Sequence, residues 1–344
     1  MNWTHLFLQI AVVFLTLFVA HQLHIILHEA GHLLFGKLSG YHFVSFRVYN
    51  QMLVKEHGKL VRKKYNVVGT GGQALMSPPE LKNGTFPLAL YNMGGALMNV
   101  LVGALCLWLF FLVPSFWKAA FLTAAVLGVG MGLINIIPLR VGGIPNDGYN
   151  LLTLRRKQNA AARHAFWVML RANAMVASGS RAREFPAQWF DWIDMAHLDD
   201  PLVASAAVLR YNYLLDSGEL AEARSLLQTL FDTATELPSV IRNELRCELL
   251  FHELIHECRE EEIDRLYTGA LKDYIKITFT YASRQRLLYA YARLFTKDAE
   301  QAEAHLELFR EACKKSASLG EIPGEQELVA LVDEIAEKRE TVIS

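Results

Sequence analysis

The sequence of 344 residues predicts a mainly α-helical protein: a polytopic membrane core of three crossings with a small β-hairpin, followed by a soluble α-helical repeat domain. Three observations lead to this fold class. Hydrophobic residues make up 52% of the chain, a high fraction for a purely soluble protein. Three apolar segments reach the roughly 20 residues that a helix needs to cross a bilayer. After Asp200 the pattern changes to helices separated by polar breaks, and we predict domains at 1–178 and 179–344.

The three predicted crossings run from Trp3 to Leu38, from Phe86 to Val113 and from Phe116 to Leu139. Two residues separate the second from the third, which predicts a tight helical hairpin. Basic residues follow the first and third crossings, whereas the opposite side offers only Lys118. By the positive-inside rule we expect a multi-pass protein of the cell membrane, with its N-terminus outside and its C-terminal domain in the cytoplasm.

The segment between the first two crossings, about 42–68, predicts a β-hairpin. Phe43–Tyr49 is rich in residues that favour strands and partly alternates between polar and apolar side chains. Lys59–Val68 is expected to pair with it across the turn Glu56-His57-Gly58.

The most informative motif lies at the end of the first crossing, His28-Glu29-Ala30-Gly31-His32. On a helix, residues four apart share one face, so the imidazoles of His28 and His32 could bind one zinc ion. Glu29 beside them could take a proton from a metal-bound water, which is the chemistry of a metalloprotease. Ionisable side chains in an apolar crossing are costly, and this setting favours a functional role.

A catalytic zinc needs a third protein ligand and one open position. Asp147 follows the third crossing on the membrane side where the His28–His32 motif lies, and apart from Glu29 of that motif no other acidic residue lies in or beside the crossings. We therefore predict Asp147 as the third ligand. The alternative is that Asp147 or Asn146 only caps the next helix.

These residues resemble the site-2 protease family of intramembrane zinc metalloproteases, whose core is three crossings. The resemblance covers roughly residues 3–154 and implies a Zn2+ cofactor. By the family pattern, His28, His32 and Asp147 match the zinc ligands, and Glu29 matches the catalytic general base.

The resemblance also implies two asparagines near the substrate. Gly94-Gly95-Ala96-Leu97-Met98-Asn99 looks like the family's G-P-x-x-N element, and Asn135 lies in the stretch that leads to Asp147. Asn99 and Asn135 are therefore expected to bind substrate. The chain has Gly95 or Ala96 where a proline is usual, and the stretch from Asn135 to Asp147 is longer than the common spacing.

The region after Asp200 carries three segments that each combine an aromatic-bearing helix, a polar break and an acidic helix start. These segments are Leu209–Ala223, Leu250–Asp264 and Tyr289–Glu303, with a repeat near 40 residues. The pattern loosely resembles the tetratricopeptide family of α-solenoids. That resemblance implies a concave surface for a protein or peptide partner.

A second copy of the zinc motif, His252-Glu253-Leu254-Ile255-His256, lies inside this repeat region. The repeat register aligns His252 with Tyr211 and Tyr291, which predicts packing between stacked helices, and no third ligand follows it at a suitable distance. His21 and His24, on the helix before the first motif, are likewise expected to pack or to form hydrogen bonds.

The sequence thus predicts a zinc-dependent endopeptidase that hydrolyses a peptide bond of a transmembrane or membrane-associated substrate, with helical repeats that bind the substrate or a protein partner. Net charge is −1 and basic residues do not combine with an aromatic platform, so no nucleic-acid partner is expected. Two alternatives remain open. One is a membrane-anchored adaptor with an inactive metal site, and the other is an anchored scaffold that uses the His252 motif.

Overall fold

The computed structural model describes residues 3–56, 58–65, 67, 70–141, 143–193 and 197–343. Contacts divide the chain into two compact units, and each is described by itself. The first unit comprises Met1–Met52 and Thr70–His164, and the second comprises Leu53–Gly69 and Ala165–Ser344. The predicted domain boundary at 178/179 stays a prediction.

Four helices form the frame of the first unit. They are α1 (Trp3–Leu38), α2 (Ala89–Leu112), α3 (Ser115–Ile136) and α4 (Asp147–Arg155). The first three are long and apolar enough to cross a membrane, with mean hydropathies of 2.2, 2.2 and 2.0. Many of their large apolar side chains are exposed, as expected for helices whose solvent is lipid. The predicted fold class, with three candidate crossings, is confirmed.

Helices α1 and α2 cross in backbone contact. A Cβ added to Gly31 would lie 2.3 Å from the carbonyl oxygen of Gly94, and one added to Gly94 would lie 2.6 Å from that of Gly31. Only glycines allow such an approach. Because Gly31 lies within the His28–His32 motif, this crossing brings the backbone of α2 directly onto it.

The loop between α1 and α2 forms four strands, β1 (His42–Val48), β2 (Gln51–Glu56), β3 (Lys59–Lys64) and β4 (Gly72–Ser77). Their order in the sheet is β3-β2-β1-β4. The predicted pairing of Phe43–Tyr49 with Lys59–Val68 is therefore wrong. A turn at Tyr49, whose φ is +52°, sends the chain back as β2, which takes the place beside β1. His57 and Val68 lie outside the described residues.

On the other side of β1, the chain adds β4. The two strands are antiparallel from His42↔Ser77 to Val48↔Gly72, with an irregularity between Phe43 and Ser45. Among the described strands β4 has no neighbour on its second edge.

Helix α5 (Ala160–Ala177) is followed by eight helices of the second unit. They are α6 (Pro201–Asp216), α7 (Leu220–Thr233), α8 (Ser239–Ile255), α9 (Glu260–Leu266), α10 (Gly269–Ile277), α11 (Ala282–Ala290), α12 (Ala299–Lys315) and α13 (Ile322–Ile343). The three predicted polar breaks fall between α6 and α7, between α8 and α9, and before α12. Each break carries a residue with positive φ, namely Gly218, Cys258 and Lys297. All four cysteines are free.

Candidate metal centre

Three side chains from two helices, α1 and α4, converge near the end of α1. Nε2 of His28 lies 3.1 Å from Nε2 of His32, and Oδ2 of Asp147 lies 3.1 Å and 3.4 Å from these two nitrogens. In a tetrahedral zinc site with bonds of about 2.0–2.1 Å, two ligand atoms lie about 3.3 Å apart. The three atoms thus have the spacing of three corners of a zinc tetrahedron. Elsewhere in the described part of the chain, no three His, Cys, Asp or Glu side chains are grouped this way.

The carboxylate of Asp147 lacks well-aligned hydrogen bonds to the two imidazoles beside it. Oδ2 of Asp147 is buried yet makes no aligned hydrogen bond, although two imidazoles lie beside it. Burial raises the pKa of this carboxyl, but the neighbouring His28 and His32 outweigh burial and hold the pKa at about 2. A carboxylate that stays ionised and two imidazole nitrogens are the donor set that zinc prefers. These residues therefore fit a bound zinc ion.

The orientation of His32 suits a metal ligand. Its Nδ1 lies 2.7 Å from the backbone carbonyl oxygen of Tyr91 on α2. A carbonyl only accepts hydrogen bonds, so Nδ1 carries a proton, and Nε2 is the nitrogen left to bind a metal ion. Such outer contacts fix the tautomer and the ring orientation of histidine ligands.

Asn99 holds the second imidazole. The fully buried amide of Asn99 bridges Nδ1 of His24, at 3.1 Å, and Nδ1 of His28, at 3.3 Å. A metal-binding His28 must carry its proton on Nδ1, so its partner on Asn99 must be the carbonyl oxygen. In that orientation of the amide, reached by a 180° rotation, the nitrogen donates to His24. Asn99 thus lies beside the predicted ligands, while its predicted role in binding substrate stays a prediction.

Asn146 fixes the position of Asp147. Its side-chain nitrogen donates to the carbonyl oxygens of Ile134 and Ile137 at the end of α3, and its oxygen accepts from the backbone nitrogen of Tyr149 in α4. Asn146 is therefore the N-cap of α4, and Asp147 is the first residue of that helix. The capping role belongs to Asn146, which leaves the carboxylate of Asp147 for the imidazoles.

Two glycines pack closely against the side chains of the motif. A Cβ on Gly95 would lie 2.5 Å from Nε2 of His28 and 2.6 Å from Nε2 of His32, so only a residue without a side chain lets α2 approach both nitrogens this closely. A Cβ on Gly72, the first residue of β4, would lie 2.6 Å from Oε1 of Glu29. The backbone of β4 therefore runs directly past the predicted catalytic carboxylate.

Arg47 is a buried cation that sequence reasoning missed. It lies on β1, is 0% exposed and interacts electrostatically with Glu29. Its guanidinium donates to the carbonyl oxygens of Tyr49, at 2.6 Å, and Thr70, at 3.3 Å, and so holds the chain that leads into β4. A lone arginine in an alternating strand is usually solvent-exposed, and nothing in the sequence distinguishes this one.

Two other predicted residues have different surroundings. Asn135 donates to the carbonyl oxygen of Met131, one turn earlier in α3, and no described hydrogen bond joins it to the centre. Its role in binding substrate stays a prediction. His24 is buried against α3, where a Cβ on Gly128 would meet its ring at 2.4 Å, whereas His21 is exposed.

In the second motif Nδ1 of His252 is buried without a hydrogen bond, while the other described polar contacts join the motif to residues outside a metal site. His252 is fully buried, and its Nε2 lies 3.3 Å from the hydroxyl of Tyr211, a residue that the repeat register aligned with it. Glu253 accepts hydrogen bonds from Arg259 and Arg224. His256 lies beyond the end of α8, with Nδ1 2.7 Å from the backbone oxygen of His252.

No protein-family model matches this chain, and no curated protein or solved structure matches it significantly.

Proposed function

We propose that the protein is a zinc-dependent intramembrane endopeptidase of the site-2 protease type. The observation that carries the proposal is the tetrahedral spacing of His28, His32 and Asp147 on helices long and apolar enough to cross a membrane. Its substrate would be a transmembrane or membrane-associated protein. In this proposal the protein lies in the cell membrane with the N-terminus outside and the second unit in the cytoplasm.

Glu29 is the general base of the proposed reaction. Zinc bound at the three ligands supplies a polarised water and an acceptor for the charge that develops on the scissile carbonyl. Glu29 would take the proton of the water and then deliver it to the leaving amine, a double role that suits a carboxylate beside the metal.

The edge of β4 is the proposed guide for the substrate. A transmembrane helix hides its carbonyls in hydrogen bonds, so the substrate must unwind before it is cut, and an added strand would hold it extended. Strands β1 and β2 already have two neighbours, so among the described strands only the edge strands β3 and β4 could accept a further strand. Of these two, β4 passes Glu29 at Gly72.

The test compares matched substitutions in the two motifs, Glu29→Gln and Glu253→Gln. We expect Glu29→Gln to stop the cleavage of a membrane protein in cells while the purified variant keeps its zinc, because all three ligands remain. Glu253→Gln should leave cleavage intact. The readout is the membrane proteome for an uncleaved precursor, with zinc measured by mass spectrometry.

Unchanged processing in the Glu29→Gln cells would contradict the proposal. If deletion of the chain after Asp200 then abolished function, the adaptor with an inactive metal site would replace it. Loss of function in Glu253→Gln alone would favour the scaffold that uses the second motif.

A further inference from the structure

The loop between the first two crossings contributes a basic segment to the second unit. Residues 53–69 belong to this unit by their contacts, although they lie far from the rest of it in sequence. Its described residues include β3 (Lys59–Lys64), an extended strand that carries the basic run Arg62-Lys63-Lys64, followed by Tyr65.

Two side chains anchor this segment. Nζ of Lys63 donates to the backbone carbonyl oxygen of Ser316 at 2.7 Å. The ring of Tyr65 stacks on that of Tyr281, with centroids 5.9 Å apart and planes inclined by 11°. A hydrogen bond joins the hydroxyl of Tyr65 to the side chain of Ser318.

The pocket that receives Tyr65 combines three separate parts of the helical unit. Glu244 comes from α8, Tyr281 precedes α11, and Ser316, Ser318 and Glu321 come from the link between α12 and α13. Glu244 and Glu321 lie close enough to interact electrostatically with the tyrosine. Glu244 is already paired with Arg284, so the ring of Tyr281 and the backbone carbonyl of Ser316 are the features that suit a segment with lysine and tyrosine.

We propose that this pocket is a recognition site for an extended basic segment of the pattern Lys-x-Tyr, occupied here by Lys63–Tyr65 as an intramolecular ligand. A protein partner that carries the same pattern would compete for it. The inference does not depend on the metal centre.

The test uses the full-length protein in detergent and a fluorescent peptide with the sequence of Lys59–Tyr65. A tethered ligand acts at an effective concentration on the order of millimolar, so a peptide with a Kd of about 0.1 mM should bind the wild type about tenfold more weakly than a vacated pocket. We therefore expect the Tyr65→Ala variant to bind the peptide about tenfold more tightly than the wild type does. The control peptide has alanine in place of its final tyrosine and should not bind.

A second substitution checks the pocket itself. In the Tyr65→Ala background, Tyr281→Ala should abolish peptide binding, and circular dichroism should show that both variants keep their helix content. Equal binding of the two peptides would reveal mere charge attraction and overturn the proposal. Failure of a folded Tyr65→Ala variant to bind the peptide would also overturn it, because Tyr65 would then be ordinary packing. If Tyr65→Ala does not fold, Lys63→Ala replaces it under the same criteria.

Discussion

Two copies of the same five-residue pattern have opposite surroundings in this protein. In the first copy, Nε2 of His28 and Nε2 of His32 approach to 3.1 Å, and a carboxylate from another helix completes the group. In the second copy, the rings of His252 and His256 stack with centroids 5.6 Å apart and planes 18° from parallel. Their Nε2 atoms share no third ligand among the described residues.

Two features of the helices cause this difference. The first motif lies inside α1, where helical geometry brings residues four apart onto one face, whereas α8 ends at Ile255 and leaves His256 outside. In the second copy, the glutamate is also tied to two arginines, so it is a structural acceptor. A motif becomes a candidate metal site only if its donor atoms converge on one point and a third ligand joins them there.

The largest expected contrast is in metal binding. His28→Ala removes one of three predicted ligands and should weaken zinc binding by more than about 100-fold, since even outer partners of such ligands contribute 10–100-fold. His252→Ala, the matched change in the other copy, should leave the zinc content at that of the wild type. Competition with a chromogenic chelator measures both affinities. Equal zinc loss in the two variants would abolish the distinction between the motifs.

Asn99 should contribute less than a ligand does. Asn99→Leu removes the partner of Nδ1 of His28 and should weaken zinc binding by about 10–100-fold. Asn135→Leu is the control, because Asn135 bonds within its own helix and should keep the wild-type affinity. The same chelator assay separates them. If Asn99→Leu slows cleavage but binds zinc normally, the residue acts on the substrate alone.

A substitution in the second motif should change the stability of the protein. Glu253→Gln replaces a carboxylate that is 3% exposed and hydrogen-bonded to Arg259 and Arg224, so the free energy of unfolding of the second unit should fall by about 1–3 kcal/mol. Glu29→Gln should not change it. Urea unfolding followed by tryptophan fluorescence makes the comparison, and an unaffected Glu253→Gln protein would show that this network is dispensable.

The smallest effect concerns pH. Burial lowers the pKa of His252 from 6.5 to about 4, so between these pH values the unfolded chain binds a proton at this residue and the folded chain does not. The free energy of unfolding therefore decreases as the pH is lowered from 6.5 to 4. At pH 5.5 the decrease that comes from this residue is about 1 kcal/mol.

In urea unfolding at several pH values, His252→Phe should remove this contribution, so that the free energy of unfolding decreases less as the pH falls. His197→Gln, which changes an exposed histidine of the same unit, is the control and should keep it. If the free energies of unfolding of His252→Phe and the wild type depend on pH in the same way, His252 has the same pKa in the folded and unfolded chains and the prediction is wrong.

The sequence predicted the helices well because their signals are local. Apolar length set the three crossings, and the polar breaks before α7, α9 and α12 fell where they were predicted. The sheet was less predictable, since the pairing of β1 depended on a left-handed residue at Tyr49 that has no glycine to mark it. Arg47, His24 and the bridge through Asn99 depend on contacts between segments far apart in the chain, which spacing along the sequence does not encode.

The bonds of Asn146 connect the candidate metal centre to the end of a candidate crossing helix. Because this side chain ties the start of α4 to Ile134 and Ile137, Asp147 moves with the end of α3. A crossing helix adjusts to the thickness of its bilayer by tilting. A tilt of α3 relative to α1 would therefore change the distance between the carboxylate and the two imidazoles.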